Sequence, residues 1–518
     1  MKREAQRLDG HFDVLVIGGG IYGAWIAYDA ALRGLSVAVV ERDDWASGTS
    51  SASSKLIHGG LRYLEYGDIG LVSKALRERG RLLRLGPHRV RGLRFILPQY
   101  RDSRMPRLPM LAGLWLYDQL AGARPDLPAH RVHAASELIA HAPFIQRAGL
   151  IGGWSYPDAG EDDARMVLEI VAGSLTAGAV AVNHCAALRL LRANGRIAGA
   201  VVRDALTGRE CEVRATTVID AAGAWAAQAA GLTSLPARYS KGVHLLMPGL
   251  SINEAFLLTT RSDKRVFFLI PWYGSTLVGT TDTDFHGDPD SVRVEDADID
   301  YLLAAVRDNC PGLGWNRSHV RGSFAGLRTM RGAPGTPSSI SREWELLEPE
   351  AGLLLPLGGK FTSARVEAAH TVDRLRRGSH PTAQRAFPWK PSGPWPAWRD
   401  RATADGRALG LDAETARHAA ERFAATLPLL HARLRSDSTL AQRIVAHAPF
   451  CWAEVPHAAA HEQAHTLRDI LRRRIPLTIL SPITSALAQR TADLAGDVLN
   501  WSPERRVSEA ASVTTPYG

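Results

Sequence analysis

The sequence predicts an α/β protein in three parts, and three features carry that prediction. An apolar run, Phe12 to Ile17, enters Gly18-Gly19-Gly20-Ile21-Tyr22-Gly23 and then an alanine-rich helical stretch, Ala24 to Leu32. Between Ser240 and Asp284, β-branched, aromatic and polar residues alternate, as in Arg265-Val266-Phe267-Phe268-Leu269-Ile270, with the period of a second sheet. From Ala402 to Trp501, alanine, leucine and arginine recur at helical spacing. The expected architecture is a Rossmann-like dinucleotide layer, an inserted mixed-sheet domain over the substrate, and a C-terminal helical domain.

Each element has a local reason. In the strand-glycine-helix turn, the first glycine permits the tight turn and the second lets backbone amides approach a pyrophosphate. The third lets the helix pack on the strand, so Gly18, Gly20 and Gly23 are expected to cradle a dinucleotide at a helix N-terminus. Glu41 ends the next apolar run, where a carboxylate accepts hydrogen bonds from ribose hydroxyls and favours FAD or NAD over NADP. Farther on, Ala198 to Val202 and Cys211 to Arg214 flank the turn Thr207-Gly208 as a hairpin. The strand Thr217-Val218-Ile219 then delivers Ala222 and Gly223, a small-residue turn against which a cofactor can lie. The run Leu353 to Leu355 leads to Gly358-Gly359-Lys360-Phe361-Thr362 and a helix through Leu375. The dinucleotide domain is thus expected to be assembled from 1–90, 160–235 and 325–385, and the cap from 91–159 and 236–324. The helical domain takes 386–518, beyond a proline- and tryptophan-rich linker over 379–398.

Apolar content of 45% and charged content of 22% fit a globular protein and argue against disorder. The net charge of +9 comes almost wholly from arginine and suits an anionic partner: nucleic acid, an anionic membrane or a phosphorylated substrate. No nucleic-acid module is present by motif, so nucleic acid is not expected. The four cysteines are far apart, without metal spacing, and read as thiols in a reducing compartment. No metal site is expected. The charged start and the lack of a long apolar run point to a cytoplasmic protein that lies on a membrane at most.

The run from Thr49 to Glu65, TSSASSKLIHGGLRYLE, is dense in donors and poor in apolar residues. Ser50, Ser51, Ser54 and Lys55 can wrap a pyrophosphate, Gly59 and Gly60 admit a flat ring, and Arg62 offers a fork for a phosphate. With the opening glycine turn, this run resembles the FAD-dependent glycerol-3-phosphate dehydrogenases. The likeness continues in order through Lys241-Gly242-Val243-His244, Ile270-Pro271-Trp272, Gly279-Thr280-Thr281-Asp282, Ala325-Gly326-Leu327-Arg328, Ile340-Ser341-Arg342-Glu343, Gly358 to Thr362 and Ala464 to Arg474.

The resemblance implies an FAD enzyme that oxidises glycerol 3-phosphate to dihydroxyacetone phosphate by hydride transfer to flavin N5. Electrons then pass to membrane quinone at the inner face of the cytoplasmic membrane. It further implies that Arg328 and Arg342 hold the phosphate, that Arg62 and Tyr63 line the substrate pocket, and that Lys360 sits at the flavin or the alkoxide. Gly359 and Thr362 would contact the flavin. His58 and His244 are both candidate bases. A same-fold oxidase using oxygen, or a paralogue acting on another alcohol or amine, is the alternative. Tyr22 and Trp25 depart from the family pattern near the glycine turn. Oligomeric state is open, a homodimer being one option. The arginine-rich segment from His88 to Gly122, with Trp115 and several leucines, reads equally as an amphipathic membrane contact or as a helix covering the core with a solvated basic edge.

Overall fold

The structure is a computed structural model that describes residues 1–122, 127–232, 237–331 and 344–514. Strand β1 (Gly10–Ile17) is followed by helix α1 (Ile21–Leu32) and strand β2 (Val37–Val40). β1 pairs in parallel with β2 on one side and with strand Glu210–Asp220 on the other; Leu353–Leu357 and Val180–Val182 extend the parallel sheet outward. All four residues of β2 are buried, as in a strand covered on both faces. One face is covered by α1, which packs between helices Asp163–Thr176 and Ala364–Asp373, and α1 is accordingly apolar almost all round. The predicted hairpin is present: Arg196–Asp204 pairs antiparallel with Glu210–Asp220.

A second sheet of ten strands stands beside the first. Its centre is formed by Ala237–Pro248, Val266–Trp272, Ser275–Gly279 and Ala255–Thr259, and it continues through Val90–Tyr100 and Leu150–Glu161. Strand Gly322–Arg331 pairs along the length of Ala237–Pro248 and so belongs to this sheet. That corrects the expected boundary at 325: the third piece of the dinucleotide layer resumes with the strand Glu345–Glu350. The reason is pairing, since every residue of the strand registers with a partner on Ala237–Pro248, and Phe324, Leu327 and Met330 are buried there. The segment 88–122 is also corrected. Its first half is strand Val90–Tyr100, and only Arg107–Ala121 is helical.

The C-terminal helices, among them Ala413–Phe423, Leu427–Ser436, Glu454–His461 and Ser485–Leu499, form the expected helical domain, with the first of the group starting at Trp395 inside the predicted linker. They do not hang apart from the rest. Their apolar core is one continuous cluster with that of the second sheet, where the rings of Tyr273 and Phe450 lie 4.9 Å apart. Toward the first sheet the contact is ionic: Arg165 Nη1 lies 2.7 Å from Glu462, and neither side chain reaches solvent. Among the described residues no disulfide forms; three of the cysteines are buried and Cys211 is half-buried. No described helix is long and apolar enough to cross a membrane.

Candidate active site

A cavity of about 1440 Å³ opens at the C-terminal ends of β1 and β2 and runs between the two sheets. At one end lies the glycine turn. Gly18 has φ +107°, a left-handed conformation that side chains resist, and a Cβ there would stand 2.7 Å from the Ala221 carbonyl oxygen. A Cβ on Gly23 would overlap the Gly18 carbonyl oxygen, so only glycine lets α1 start this close to its strand. Ser50 Oγ accepts the Ile21 amide at 2.9 Å, giving α1 a cap that Gly20 cannot supply. Glu41 Oε2 accepts the Gly19 amide at 2.6 Å, and Oε1 the Asp43 amide at 2.9 Å. Burial raises the pKa of Glu41 despite these bonds. Ala222 and Gly223 face the same end of the cavity.

The middle of the cavity is bordered by His58, Gly60, Arg62 and Tyr63, and by Gly359, Lys360 and Thr362 arriving from the loop after Leu353–Leu357. The two loops are tied together, the His58 amide donating to Thr362 Oγ1 at 3.1 Å. Lys360 Nζ stands 3.6 Å from the centre of the Tyr63 ring, and the Arg62 guanidinium 5.8 Å from it. This places two cations over one aromatic ring.

Paired strands of the second sheet supply the opposite wall. Ser240 registers with Arg328, and His244 with Phe324. The Arg328 guanidinium is aimed by Thr280 Oγ1 at 2.8 Å, the Thr281 carbonyl at 3.2 Å and Asp282 at 3.3 Å. His244 stacks on Phe324, and its Nε2 lies 2.9 Å from Ser54 Oγ. Burial, then the charges of Arg328 and Lys55, hold the His244 pKa well below the ordinary imidazole value, so the ring is neutral at pH 7. A neutral imidazole beside a guanidinium can accept a proton from a ligand that the cation holds.

Most of the predicted site residues therefore meet at one cavity, but several do not reach its wall. Lys55 is sealed beneath it: its Nζ donates to Asp163 at 2.7 Å and to the Ser51 carbonyl at 2.8 Å, and the chain is 2% exposed. Its ammonium compensates a buried carboxylate, and its side chain does not line the cavity. Ser51 is buried with it. Gly59 points its amide away, toward Tyr117 Oη at 2.9 Å and Asp158 at 3.2 Å. Gly23 acts from inside the turn. Arg342 lies outside the described residues. Thr280 and Asp282, which aim Arg328, were legible only as members of a motif. Tyr22, noted as a departure, hydrogen-bonds Glu367, which in turn accepts from Lys74 Nζ at 2.7 Å. Arg468 and Arg472 of the helical domain, quoted only within the motif Ala464 to Arg474 and given no role there, also border the cavity.

Comparison with known proteins agrees with this geometry. Residues 13–344 match the family described as FAD dependent oxidoreductase, and residues 380–506 match the C-terminal domain of alpha-glycerophosphate oxidase. Glycerol-3-phosphate dehydrogenase 2 of Mycobacterium tuberculosis (strain ATCC 25618 / H37Rv) is 36% identical over 503 residues, which span 95% of this chain and 85% of the relative. The chain belongs to the FAD-dependent glycerol-3-phosphate dehydrogenase family. Within that family, the aerobic glycerol-3-phosphate dehydrogenase of Staphylococcus saprophyticus is also 36% identical, over 71% of this chain and 68% of the relative. The X-ray structure of the glycerol-3-phosphate dehydrogenase from Bacillus halodurans, complexed with FAD, superposes with a TM-score of 0.80 at 26% identity. It covers 98% of this chain and 95% of that one.

FAD is the cofactor of this family, and the residues present fit it. A side chain at the glycine turn would crowd the backbone where a pyrophosphate would lie, Glu41 lines the cavity at the end of β2, and the cavity exceeds the roughly 300–1,000 Å³ of an ordinary small-ligand pocket. A dinucleotide and a small substrate can share it.

Proposed function

We propose that this protein oxidises sn-glycerol 3-phosphate to dihydroxyacetone phosphate and passes the electrons to membrane quinone. What supports the reading above all is one juxtaposition: Arg328, fixed by Thr280 and Asp282, shares the cavity with neutral His244 and with Lys360, at the open side of the nucleotide cradle.

The phosphate dianion is held by the Arg328 fork, with Arg62 and Arg342 as further cations. With the phosphate fixed, the carbinol carbon is oriented and its hydrogen directed away from the cationic wall. FAD, when bound, supplies the acceptor for the hydride that leaves this carbon. His244 takes the hydroxyl proton, and the bound dianion offsets the Arg328 charge that otherwise weakens it as a base. Ser54, at His244 Nε2, holds the ring in place. Lys360 stabilises negative charge developing on the substrate oxygen, the Tyr63 ring fixing its ammonium. His58 stays on the Lys360 side as the second candidate base.

The surface supports quinone as the acceptor. On helix Arg107–Ala121, Leu108 is 77% exposed and Trp115, two turns on, is 58% exposed, with Arg104 and Arg107 beside them. Apolar tips rimmed by arginine suit shallow contact with an anionic bilayer, from which quinone is reached. The test of the reaction is anaerobic mixing with glycerol 3-phosphate: flavin absorbance bleaches with this ester and not with glycerol. Loss of that selectivity overturns the assignment. Co-flotation with anionic liposomes, abolished by Trp115→Glu, tests the membrane contact.

A further inference from the structure

Three buried residues of the helical domain converge on a segment that belongs to the dinucleotide layer. Asp44, fully buried, lies between Glu41 and Ser47, both on the cavity wall. Its Oδ2 accepts Arg473 Nε at 2.6 Å and Arg474 Nη1 at 2.7 Å, and its Oδ1 accepts Arg474 Nη2 at 2.8 Å. Two consecutive arginines reach one carboxylate because Ile470–Arg474 forms a π-helical turn, a local widening that recurs at functional sites. Next to Asp44, the Trp45 indole donates to Gln463 Oε1 at 2.9 Å.

The held segment touches the glycine turn directly. A Cβ on Gly19 would meet the Trp45 ring, so the indole lies flush against the turn. The Ala46 amide donates to the Gly19 carbonyl at 3.0 Å, while Glu41 takes the Gly19 amide from the other side. Ala46 itself sits at φ +62°, a conformation that alanine adopts only when its surroundings impose it. The residues on its N-terminal side, Asp44 and Trp45, are the ones the helical domain holds. Asp469 extends the link, accepting Arg473 at 2.8 Å and His184 Nε2 at 2.8 Å, and Asp469, His184 and Arg473 all border the cavity.

We infer that the C-terminal helical domain is a retention element for FAD: Gln463, Arg473 and Arg474 act as positioning residues that press Asp44-Trp45 against the dinucleotide turn. This gives a function to the motif Ala464 to Arg474, which the reaction leaves unused, and it rests on the FAD assignment above. The domain then sets cofactor affinity without touching the reacting atoms.

The test is FAD titration of the deflavinated full-length protein, read by flavin fluorescence, alongside the melting temperature of each apoprotein. Gln463→Asn suits the position because Gln463 has φ +51°, which asparagine tolerates, while its shorter side chain gives up the Trp45 bond together with the Nε2 bond to the Lys2 carbonyl. It is expected to raise the Kd for FAD about tenfold, the scale of one buried hydrogen bond lost. Arg474→Lys, which keeps the charge and loses the fork, acts in the same direction. Arg443→Gln is the control: its partners Asp412 and Glu414 lie within the helical domain, so it lowers stability and leaves the Kd unchanged. Combining Gln463→Asn with Trp45→Phe is expected to cost less than the sum of the two single effects, because the Trp45–Gln463 bond is lost in each. Wild-type Kd in Gln463→Asn, or additive losses in the double variant, overturns the inference. A wild-type protein that takes up no FAD would strike the cofactor assignment instead.

Discussion

Ser54 Oγ, from the loop that leads out of the dinucleotide layer, and His244 Nε2, from the second sheet, meet at 2.9 Å in the cavity wall. The pair joins the two halves of the site at the group assigned to receive the substrate proton. His244→Gln is expected to lower kcat by about 10²–10⁴-fold, the range of a lost general base. Ser54→Ala, which only releases the ring, is expected to cost about tenfold with KM little changed. Stopped-flow bleaching of the flavin checks both, and an unchanged rate in His244→Gln moves the role to His58.

The pH profile follows from the same environment. Burial, Arg328 and Lys55 all favour the neutral ring in the free protein, so the group that must be deprotonated already is so at neutrality. The kcat/KM for glycerol 3-phosphate is therefore expected to stay level from pH 8 down through about pH 6.5, the ordinary imidazole value, and to fall only in more acid solution. In Arg328→Gln the lost repulsion raises the His244 pKa, and the acid limb moves to higher pH.

Arg328 is aimed by oxygens of Thr280, Thr281, Asp282 and Ser240, so its fork presents a fixed geometry. Arg328→Lys keeps a charge without that geometry and is expected to raise KM for glycerol 3-phosphate by about 10–100-fold, the value of a charge-assisted pair. Steady-state kinetics over a range of glycerol 3-phosphate concentrations decide it, a wild-type KM in Arg328→Lys placing the phosphate elsewhere.

Asp220 ends the strand beside the glycine turn, fully buried, with one carboxyl oxygen taking the Ala222 amide at 3.0 Å. Burial raises its pKa from 3.8 to about 7. A raised carboxyl pKa means the folded state holds a proton that the unfolded chain releases, so the contribution is complete below the unfolded value near 4 and is lost as pH climbs to about 7. That loss amounts to roughly 4 kcal/mol at most, since a tenfold change in proton affinity corresponds to about 1.4 kcal/mol. Asp220→Asn, which cannot ionise, is expected to melt higher than wild type at pH 8 and to lose the advantage by pH 4. Apoprotein melting curves at the two pH values test this.

The parts of the fold set by local rules were legible in the sequence. The Gly18 to Gly23 turn, the hairpin around Gly208 and the strand at Val266 announce themselves through glycine placement and period-two alternation. What escaped depends on contacts distant in sequence. Lys55 looked like a phosphate ligand because its neighbours are serines and glycines, yet Asp163, more than a hundred residues on, claims its charge. The segment 88–122 mixed arginines and apolar residues as an amphipathic helix would, but pairing with Leu150–Glu161 makes its first half a strand. Arg468 and Arg472 were legible only as members of the motif Ala464 to Arg474, since it is the docking of the helical domain that brings them to the cavity.

Because the ring of Tyr273 lies against Phe450 within one apolar seam, the inserted sheet and the helices after Trp395 cannot part without wetting both faces at once. A chain clipped by protease just ahead of Trp395 will elute as a single species, its two fragments separating only in denaturant.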